Sequence, residues 1–92
     1  MKEQNILDIE KEALAYLAEL RKTSGMTETE FGVKAFPDHA NPRTRVNSIF
    51  QGKNTSGNAL RLRLGDFCSM CLALGKNPAQ ELLLIWSKIN PE

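Results

Sequence analysis

Apolar residues recur at intervals of three or four along the start of the chain: Ile6, Ile9, Ala13, Leu17 and Leu20. Glutamate and lysine lie on the other face, so the spacing predicts an amphipathic helix over residues 7–23. Arg21 and Lys22 fall in its last turn, where cations suit the negative end of the helix dipole. Gly25 follows and predicts the end of the helix.

A capping box and a proline delimit the second predicted helix. The Thr27 hydroxyl can accept a hydrogen bond from the N–H of Glu30, while the Glu30 carboxylate reaches back to the N–H of Thr27. We therefore predict helix two over residues 28–36, with Phe31 facing the core. Pro37 ends it, because proline cannot continue a helix.

A short helix with a narrow apolar stripe is predicted over residues 42–51. Asn41 is a candidate N-cap, Pro42 suits the first helical position, and Gly52 ends the helix. The apolar residues fall at i, i+3 and i+4: Val46, Ile49 and Phe50. The remaining side chains carry guanidinium, amide and hydroxyl groups: Arg43, Thr44, Arg45, Asn47, Ser48 and Gln51. These are the groups that read base edges of DNA.

Two further helices follow a polar loop and an extended segment. Residues 59–64 alternate between apolar and basic, which fits a short strand by period, but no second strand offers a partner. We therefore predict an extended arm there. Helix four is predicted over residues 65–74. Helix five is predicted over residues 78–88, where Asn77 and Pro78 again supply an N-cap and a first-turn proline.

Length and composition are those of one small domain, which we assign to residues 1–92. No apolar run approaches the roughly 18 residues that a membrane-spanning helix needs. The N-terminus leads into an acidic helix and lacks the apolar segment of a secretory signal. These features predict an all-α, five-helix protein in the cytoplasm, without a membrane partner.

Positive charge is concentrated in the middle of the chain, although the net charge is only +1. Residues 1–36 carry five Lys or Arg and seven Asp or Glu, a balance of −2. Residues 37–65 carry five basic residues and one acidic residue, a balance of +4, and the remainder has a balance of −1. Two interpretations are open: an electrostatic footprint for phosphate, or a basic loop in water.

Four stretches of sequence carry a resemblance to a known family: residues 20–31, 45–53, 64–75 and 78–82. Their order and spacing resemble the lambda-repressor-like, or Cro/repressor-type, helix-turn-helix domains of bacterial and phage regulators. In that family the first stretch is the end of helix one with helix two, and the second is the recognition helix. The resemblance implies a sequence-specific transcriptional regulator that places helix three in the major groove of double-stranded DNA.

The resemblance also assigns base-reading positions to helix three: Arg43, Thr44, Arg45, Asn47 and Ser48. Gln51 joins them because it lies on the same outer face by helical geometry. Arginine pairs with guanine O6 and N7, and asparagine or glutamine with adenine N6 and N7. Threonine and serine serve either base.

Phosphate contacts are predicted at four positions near the ends of helices two and three: Thr27, Lys53, Asn54 and Thr55. Arg61 and Arg63 lie on one side of the arm, where they could follow a strand or enter the minor groove. The alternative is that the arm packs its leucines inward, at Leu60, Leu62 and Leu64, and leaves both arginines in water.

The chain departs from the family pattern at several points. Glu28 replaces a glutamine that commonly contacts phosphate, and Phe50 replaces a common glutamate. The turn over residues 36–41 and the loop after helix three are both longer than usual. These departures bear on the angle at which helix three docks on DNA. The alternative function is a protein-interaction module, an adaptor or antitoxin-like partner, in which the turn and Phe50 contact protein and helix five meets a partner groove.

Helix five has more apolar residues than one narrow stripe facing the core can bury. Leu83, Leu84 and Trp86 are therefore candidates for a homodimer interface, since related regulators match two DNA half-sites. The alternative is a monomer that packs Trp86 on helix one.

Nothing in the sequence indicates an enzyme, a cofactor, a metal site or a small-molecule ligand. Cys68 and Cys71 form a C-x-x-C pair, but a zinc site needs four ligands and His39 is the only histidine. We predict that both cysteines are half-buried core residues, with a redox role as the alternative. His39 is predicted to be a neutral turn residue, with a phosphate contact when protonated as the alternative.

Overall fold

The computed structural model describes residues 3–54 and 56–89, with side chains from Asp8 onward. Five α-helices follow one another in this part of the chain: α1 (Glu3–Ser24), α2 (Glu28–Ala35), α3 (Pro42–Gln51), α4 (Leu64–Ala73) and α5 (Pro78–Ile89). The described residues contain no strand, and one antiparallel bridge joins Lys53 to Ala59. The all-α class with five helices is therefore confirmed, and α1 begins earlier than predicted. None of these helices has the length and apolar character to cross a membrane.

One core joins all five helices. Its fully buried side chains come from each helix in turn: Leu17 of α1, Phe31 of α2, Val46 and Ile49 of α3, Met70 and Cys71 of α4, and Ile85 of α5. Phe50 is half-buried and stacks on Phe31, with 6.3 Å between ring centroids. The predicted apolar stripe of α3 therefore faces inward, which leaves its polar side chains on the outside.

The helix ends follow the predicted caps, with one exception. The Thr27 hydroxyl accepts from the N–H of Glu30 at 3.1 Å, and the Glu30 carboxylate accepts from Thr27 N–H at 3.3 Å. The Asn77 side chain caps α5 by accepting from the N–H of Ala79 at 2.9 Å. Asn41 precedes α3 without a side-chain cap bond.

His39 stabilises the turn that precedes α3. Its Nδ1 atom accepts a hydrogen bond from the N–H of Asn41 at 3.1 Å. The side chain therefore contacts the backbone of its own turn.

Gly32 sets the distance between α2 and α3. It is buried in the middle of α2, and a Cβ atom at this position would lie 2.8 Å from both the carbonyl carbon and the carbonyl oxygen of Pro42. The backbone N of Arg43 would lie 3.0 Å away. The two helices therefore approach more closely than any residue with a side chain would allow, and this contact fixes the first turn of α3.

A partly buried polar pair connects α1 to α5. The Tyr16 hydroxyl donates to Oε1 of Glu81 at 2.9 Å, and Glu81 is the buried charged side chain among the described residues. Burial, followed by the bond to Glu81, raises the pKa of Tyr16 above its usual value. The phenol therefore stays protonated and remains a donor to the carboxylate.

The arm between α3 and α4 is fastened to α1. Glu10 accepts from Nε of Arg61 at 2.9 Å and from the N–H of Leu62 at 3.2 Å. The Arg61 hydrogen bond is the main reason that the pKa of Glu10 lies below its usual value. Leu60 and Leu62 pack against the core as the second interpretation of the arm expects, but Leu64 is 73% exposed and does not.

Candidate nucleic-acid interface

The outer face of α3 carries four of the predicted base-reading side chains together: Arg43, Thr44, Asn47 and Gln51. All four are exposed, and at 100° per residue they fall within about one third of the helix circumference. Ser48 lies at the margin of this face and is half-buried. Val46 and Ile49 hold the opposite side in the core. One side of the helix is therefore held in the core, and the other side presents hydrogen-bonding groups to solvent.

Arg45 does not belong to this outer face. Its Nη2 atom lies 2.7 Å from Oδ2 of Asp66, and the two side chains are only 19% and 13% exposed. Its guanidinium also lies over the ring of Phe36, 5.6 Å from the centroid. The sequence predicts Arg45 as a base-reading residue and does not predict these contacts. In the structure the side chain joins α3 to the start of α4 and to the end of α2.

The phosphate candidates at the helix ends differ in what they can still offer. The capping box occupies the N–H of Thr27 and one lone pair of its hydroxyl, so only the hydroxyl proton remains to donate. Oδ1 of Asn54 accepts from the N–H groups of Ser56 and Asn58, and the NH₂ group of this exposed side chain can still donate. Lys53 is exposed two residues beyond the end of α3. Thr55 lies outside the described residues.

Acidic partners reduce the basic footprint that the sequence predicts. Of its five basic residues, Arg45 pairs with Asp66 and Arg61 pairs with Glu10. Arg43, Lys53 and Arg63 are exposed and make no ion pair within the described ranges. The positive charge left for phosphate is thus smaller than the segment balance of +4 indicates.

Sequence reasoning missed Asp66 and Glu10 as partners of these arginines. Asp66 lies 21 residues from Arg45, and Glu10 lies 51 residues from Arg61. No local spacing marks such pairs. Only Asp66 had a weak local signal. It lies in the first turn of α4, where the helix dipole favours a negative charge.

A stripe of apolar residues runs along the outer side of α5: Ala79, Leu82, Leu83 and Trp86. Their spacing of i, i+3, i+4 and i+7 places them on one side of the helix, where with Ile9 of α1 they line a shallow depression. We call this set the α5 stripe. Leu84 is also exposed but lies about 100° around the helix from Leu83, away from the stripe.

Cys68 and Cys71 are free thiols, with Cys71 fully buried and Cys68 half-buried. Burial, together with the nearby charge of Glu81, raises the pKa of Cys71 to about 11. The described residues contain no group of three or more potential metal ligands. Both cysteines lie in α4, where Cys71 belongs to the core as predicted and Cys68 is half-buried.

Cys71 is expected to resist alkylation in the folded protein, while Cys68 reacts. With a pKa of about 11, the thiolate fraction of Cys71 at pH 8 is only about 0.1%. Labelling by iodoacetamide at pH 8 should therefore be at least about tenfold slower in Cys68→Ala, which keeps Cys71, than in Cys71→Ala. Denaturant should equalise the two rates, and equal rates without denaturant would contradict this burial.

Comparison of the chain with protein-family models, with curated proteins and with solved structures finds no match.

Proposed function

We propose that the protein is a sequence-specific DNA-binding transcriptional regulator that inserts α3 into the major groove of double-stranded DNA. The observation that carries the proposal is the division of α3 into two sides. Val46 and Ile49 fix one side in the core, and the other side projects exposed guanidinium, hydroxyl and amide groups. A major groove is wide enough to admit a helix, and these groups match base edges there.

Each exposed side chain of α3 has a role in this proposal. Arg43 donates two hydrogen bonds to guanine, Asn47 and Gln51 contact adenine, and Thr44 contacts a thymine methyl group. Lys53 and Arg63 bind phosphates on either side of the helix. Arg45 acts indirectly, because its ion pair with Asp66 holds α3 against α4. This function requires the compartment that holds DNA, so we retain the cytoplasmic location predicted from the sequence.

The proposal includes a homodimer that pairs the α5 stripes of two copies. A symmetric interface brings like surfaces together, so a charged surface would repel itself. The two ionisable residues of α5 do not oppose this pairing: Glu81 is buried against Tyr16, and Lys88 binds Glu12 at 3.1 Å. The stripe itself carries no charge and is suited to a copy of itself.

An antiparallel arrangement matches large residues to small ones. If the two-fold axis passes between Leu82 and Leu83, then Ala79 of one copy faces Trp86 of the other, and Leu82 faces Leu83. The indole of Trp86 then occupies the space that the small Ala79 side chain leaves. Such a dimer would carry two copies of α3, one for each of two half-sites.

A protein-interaction module is the second candidate function, and two observations favour it. Two of the five basic residues in the middle segment are paired with acids, and Glu28 and Glu30 place negative charge in the first turn of α2. Phe50 also lines a shallow apolar groove with Leu14, Ala15 and Ala18 of α1. A helix of another protein could occupy this groove.

Binding of the full chain to mixed duplex DNA across a salt series tests the two functions against each other. For a DNA-binding protein, log K falls linearly with log salt, with a slope of about −0.9 per phosphate contact. Arg43→Ala should weaken binding to the preferred duplex about 5- to 150-fold and relax its preference at one position.

Lys53→Ala is the matched control, because it also removes one exposed cation, in this case two residues beyond the end of α3. It should weaken binding to all duplexes equally and reduce the salt slope by about 1, without changing the preferred sequence. Absence of binding to any duplex at low salt would refute the regulator and leave the interaction module.

A further inference from the structure

Glu10 of α1 binds both a side chain and the backbone of the arm that connects α3 to α4. Its Oε1 atom accepts from Nε of Arg61 at 2.9 Å and from the N–H of Leu62 at 3.2 Å. Its Oε2 atom accepts from Nε of Arg61 at 3.0 Å and also from Nη2 of the same guanidinium. The carboxylate therefore engages two nitrogen atoms of Arg61, which is also the way in which arginine binds a phosphate group.

The arm begins beside the end of the proposed recognition helix. The N–H of Leu60 donates to the carbonyl oxygen of Gly52 at 2.8 Å, and an antiparallel bridge joins Ala59 to Lys53. Arg61 is the next residue along the arm, so its Cα atom lies about 4 Å from that of a residue bonded to the end of α3. Because Lys53 is one of the residues that we assign to phosphate, Arg61 lies close to the path of the DNA backbone in the proposed complex.

Arg61 and Arg63 differ in what they can offer to that backbone. They lie two residues apart on the arm, and both side chains are exposed. Arg63 makes no ion pair in the part of the chain that the structure describes, whereas Arg61 is bound by Glu10. Hydrogen bonding by Arg61 is the largest influence on the pKa of Glu10 and lowers it, so the carboxylate is charged at neutral pH. One of two similar arginines is therefore already occupied by an anion.

We propose that Glu10 lowers the DNA affinity of the protein by holding Arg61 away from the phosphate backbone, an inference that rests on the proposed DNA-binding function. Exposed ion pairs are weak in general, but two features support this one. The Glu10 side chain is only 20% exposed, and the N–H of Leu62 fixes its carboxylate. Leu60 and Leu62 also pack against the core, which keeps the arm beside α1.

Glu10→Gln tests this role, because it removes the charge that holds Arg61 but keeps an oxygen that can accept from the N–H of Leu62. We expect the variant to bind duplex DNA more tightly than the wild type at low salt. Its slope of log K against log salt should be steeper by about 0.9, the value for one added phosphate contact. The advantage over the wild type should therefore shrink about 3.5-fold when salt is raised from about 50 mM to about 200 mM.

Arg61→Ala, alone and combined with Glu10→Gln, shows whether the gain depends on Arg61. Arg61→Ala alone should keep the wild-type slope, because Arg61 makes no phosphate contact in the wild type. Glu10→Gln should steepen the slope only where Arg61 is present, so the effects of the two substitutions are not additive. Arg63→Ala, by contrast, should weaken binding and reduce the slope by about 1.

Glu12→Gln is the matched control for the change in charge. Glu12 lies on the same helix, but its ion pair, at 3.1 Å, is with Lys88 of α5 and not with the arm. This variant adds the same net charge as Glu10→Gln and should leave the slope unchanged. Circular dichroism checks that every variant keeps the helix content of the wild type.

The possible results separate this inference from the function on which it rests. An unchanged slope in Glu10→Gln, or an equal change in Glu12→Gln, would overturn the role of Glu10 while DNA binding stands. A loss in Arg61→Ala as large as that in Arg63→Ala would also overturn it, because Arg61 would then contact phosphate in the wild type. A wild-type chain that binds no duplex at low salt would overturn the proposed function itself.

Discussion

Gly32→Ala is expected to lower the free energy of unfolding by about 2 kcal/mol, although alanine is ordinarily the better helix residue by about 1 kcal/mol. The added Cβ atom would lie 2.8 Å from two backbone atoms of Pro42, and backbone cannot move aside as the end of a flexible side chain can. The two helices must separate, and the core to which Phe31 of α2 and Val46 of α3 belong loosens as they do.

Thermal unfolding monitored by circular dichroism measures this effect, which corresponds to a fall in Tm of about 10 °C in a chain of this size. Gly65→Ala is the matched control, since Gly65 is also helical but a Cβ there would meet nothing within 4 Å. That substitution should raise Tm by a few degrees, or about 0.5–1 kcal/mol, through helix propensity alone. Equal responses of the two variants would show that Gly32 does not set the crossing.

The same substitution links packing to the proposed function. The first turn of α3 contains both the contact with Gly32 and the base-reading candidate Arg43. If α3 shifts outward in Gly32→Ala, the side chains of Arg43 and Asn47 change their position relative to the rest of the domain, even where the protein remains folded. DNA affinity measured well below the lowered Tm should therefore also fall.

The helices and their ends were predictable from the sequence because their causes are local. The three-to-four periodicity located α1, and the bounds of α3 matched because Pro42 and Gly52 act within one turn of the residues they delimit. The capping box at Thr27 formed as predicted for the same reason. Asn41 was the exception, because its side chain makes no cap bond. Its backbone N–H donates to Nδ1 of His39.

The electrostatic part of the candidate site could not be predicted in the same way. Arg43 and Arg45 are equivalent by composition and lie two residues apart, yet one is exposed and the other is held by Asp66. Their difference depends on which of them Asp66 of α4 can reach in the fold, and no local pattern contains this information. Gly32 did offer a signal, because a glycine inside a helix of eight residues costs helix stability and therefore requires a reason.

Leu83→Glu is expected to raise the dissociation constant of the proposed homodimer by at least about 100-fold. Leu83 is 64% exposed in the single chain, so glutamate at this position should cost the monomer little. In the dimer the same position lies beside the two-fold axis. Two carboxylates would be brought close together there and away from water, which costs several kcal/mol.

Leu84→Glu is the matched control for this prediction. The residue is of the same type, is 53% exposed and belongs to the same helix, but it lies off the α5 stripe. Sedimentation equilibrium over a range of concentrations should find dimers of the wild type and of Leu84→Glu, and monomers of Leu83→Glu. A wild type that is monomeric at about 100 µM, or a Leu84→Glu variant that dissociates as readily, would exclude an interface centred on the stripe, since interfaces concentrate their energy in a few central residues.

The dimer prediction also has a consequence for DNA that sedimentation does not measure. Two linked domains bind two half-sites with a gain in affinity that depends on the spacing of the half-sites, whereas separate domains do not. Binding of the wild type to paired half-sites should therefore vary with their spacing and repeat at about one turn of DNA, or 10–10.5 base pairs. Leu83→Glu should lose this spacing dependence while it keeps its affinity for a single half-site, because α5 and the outer face of α3 do not share residues.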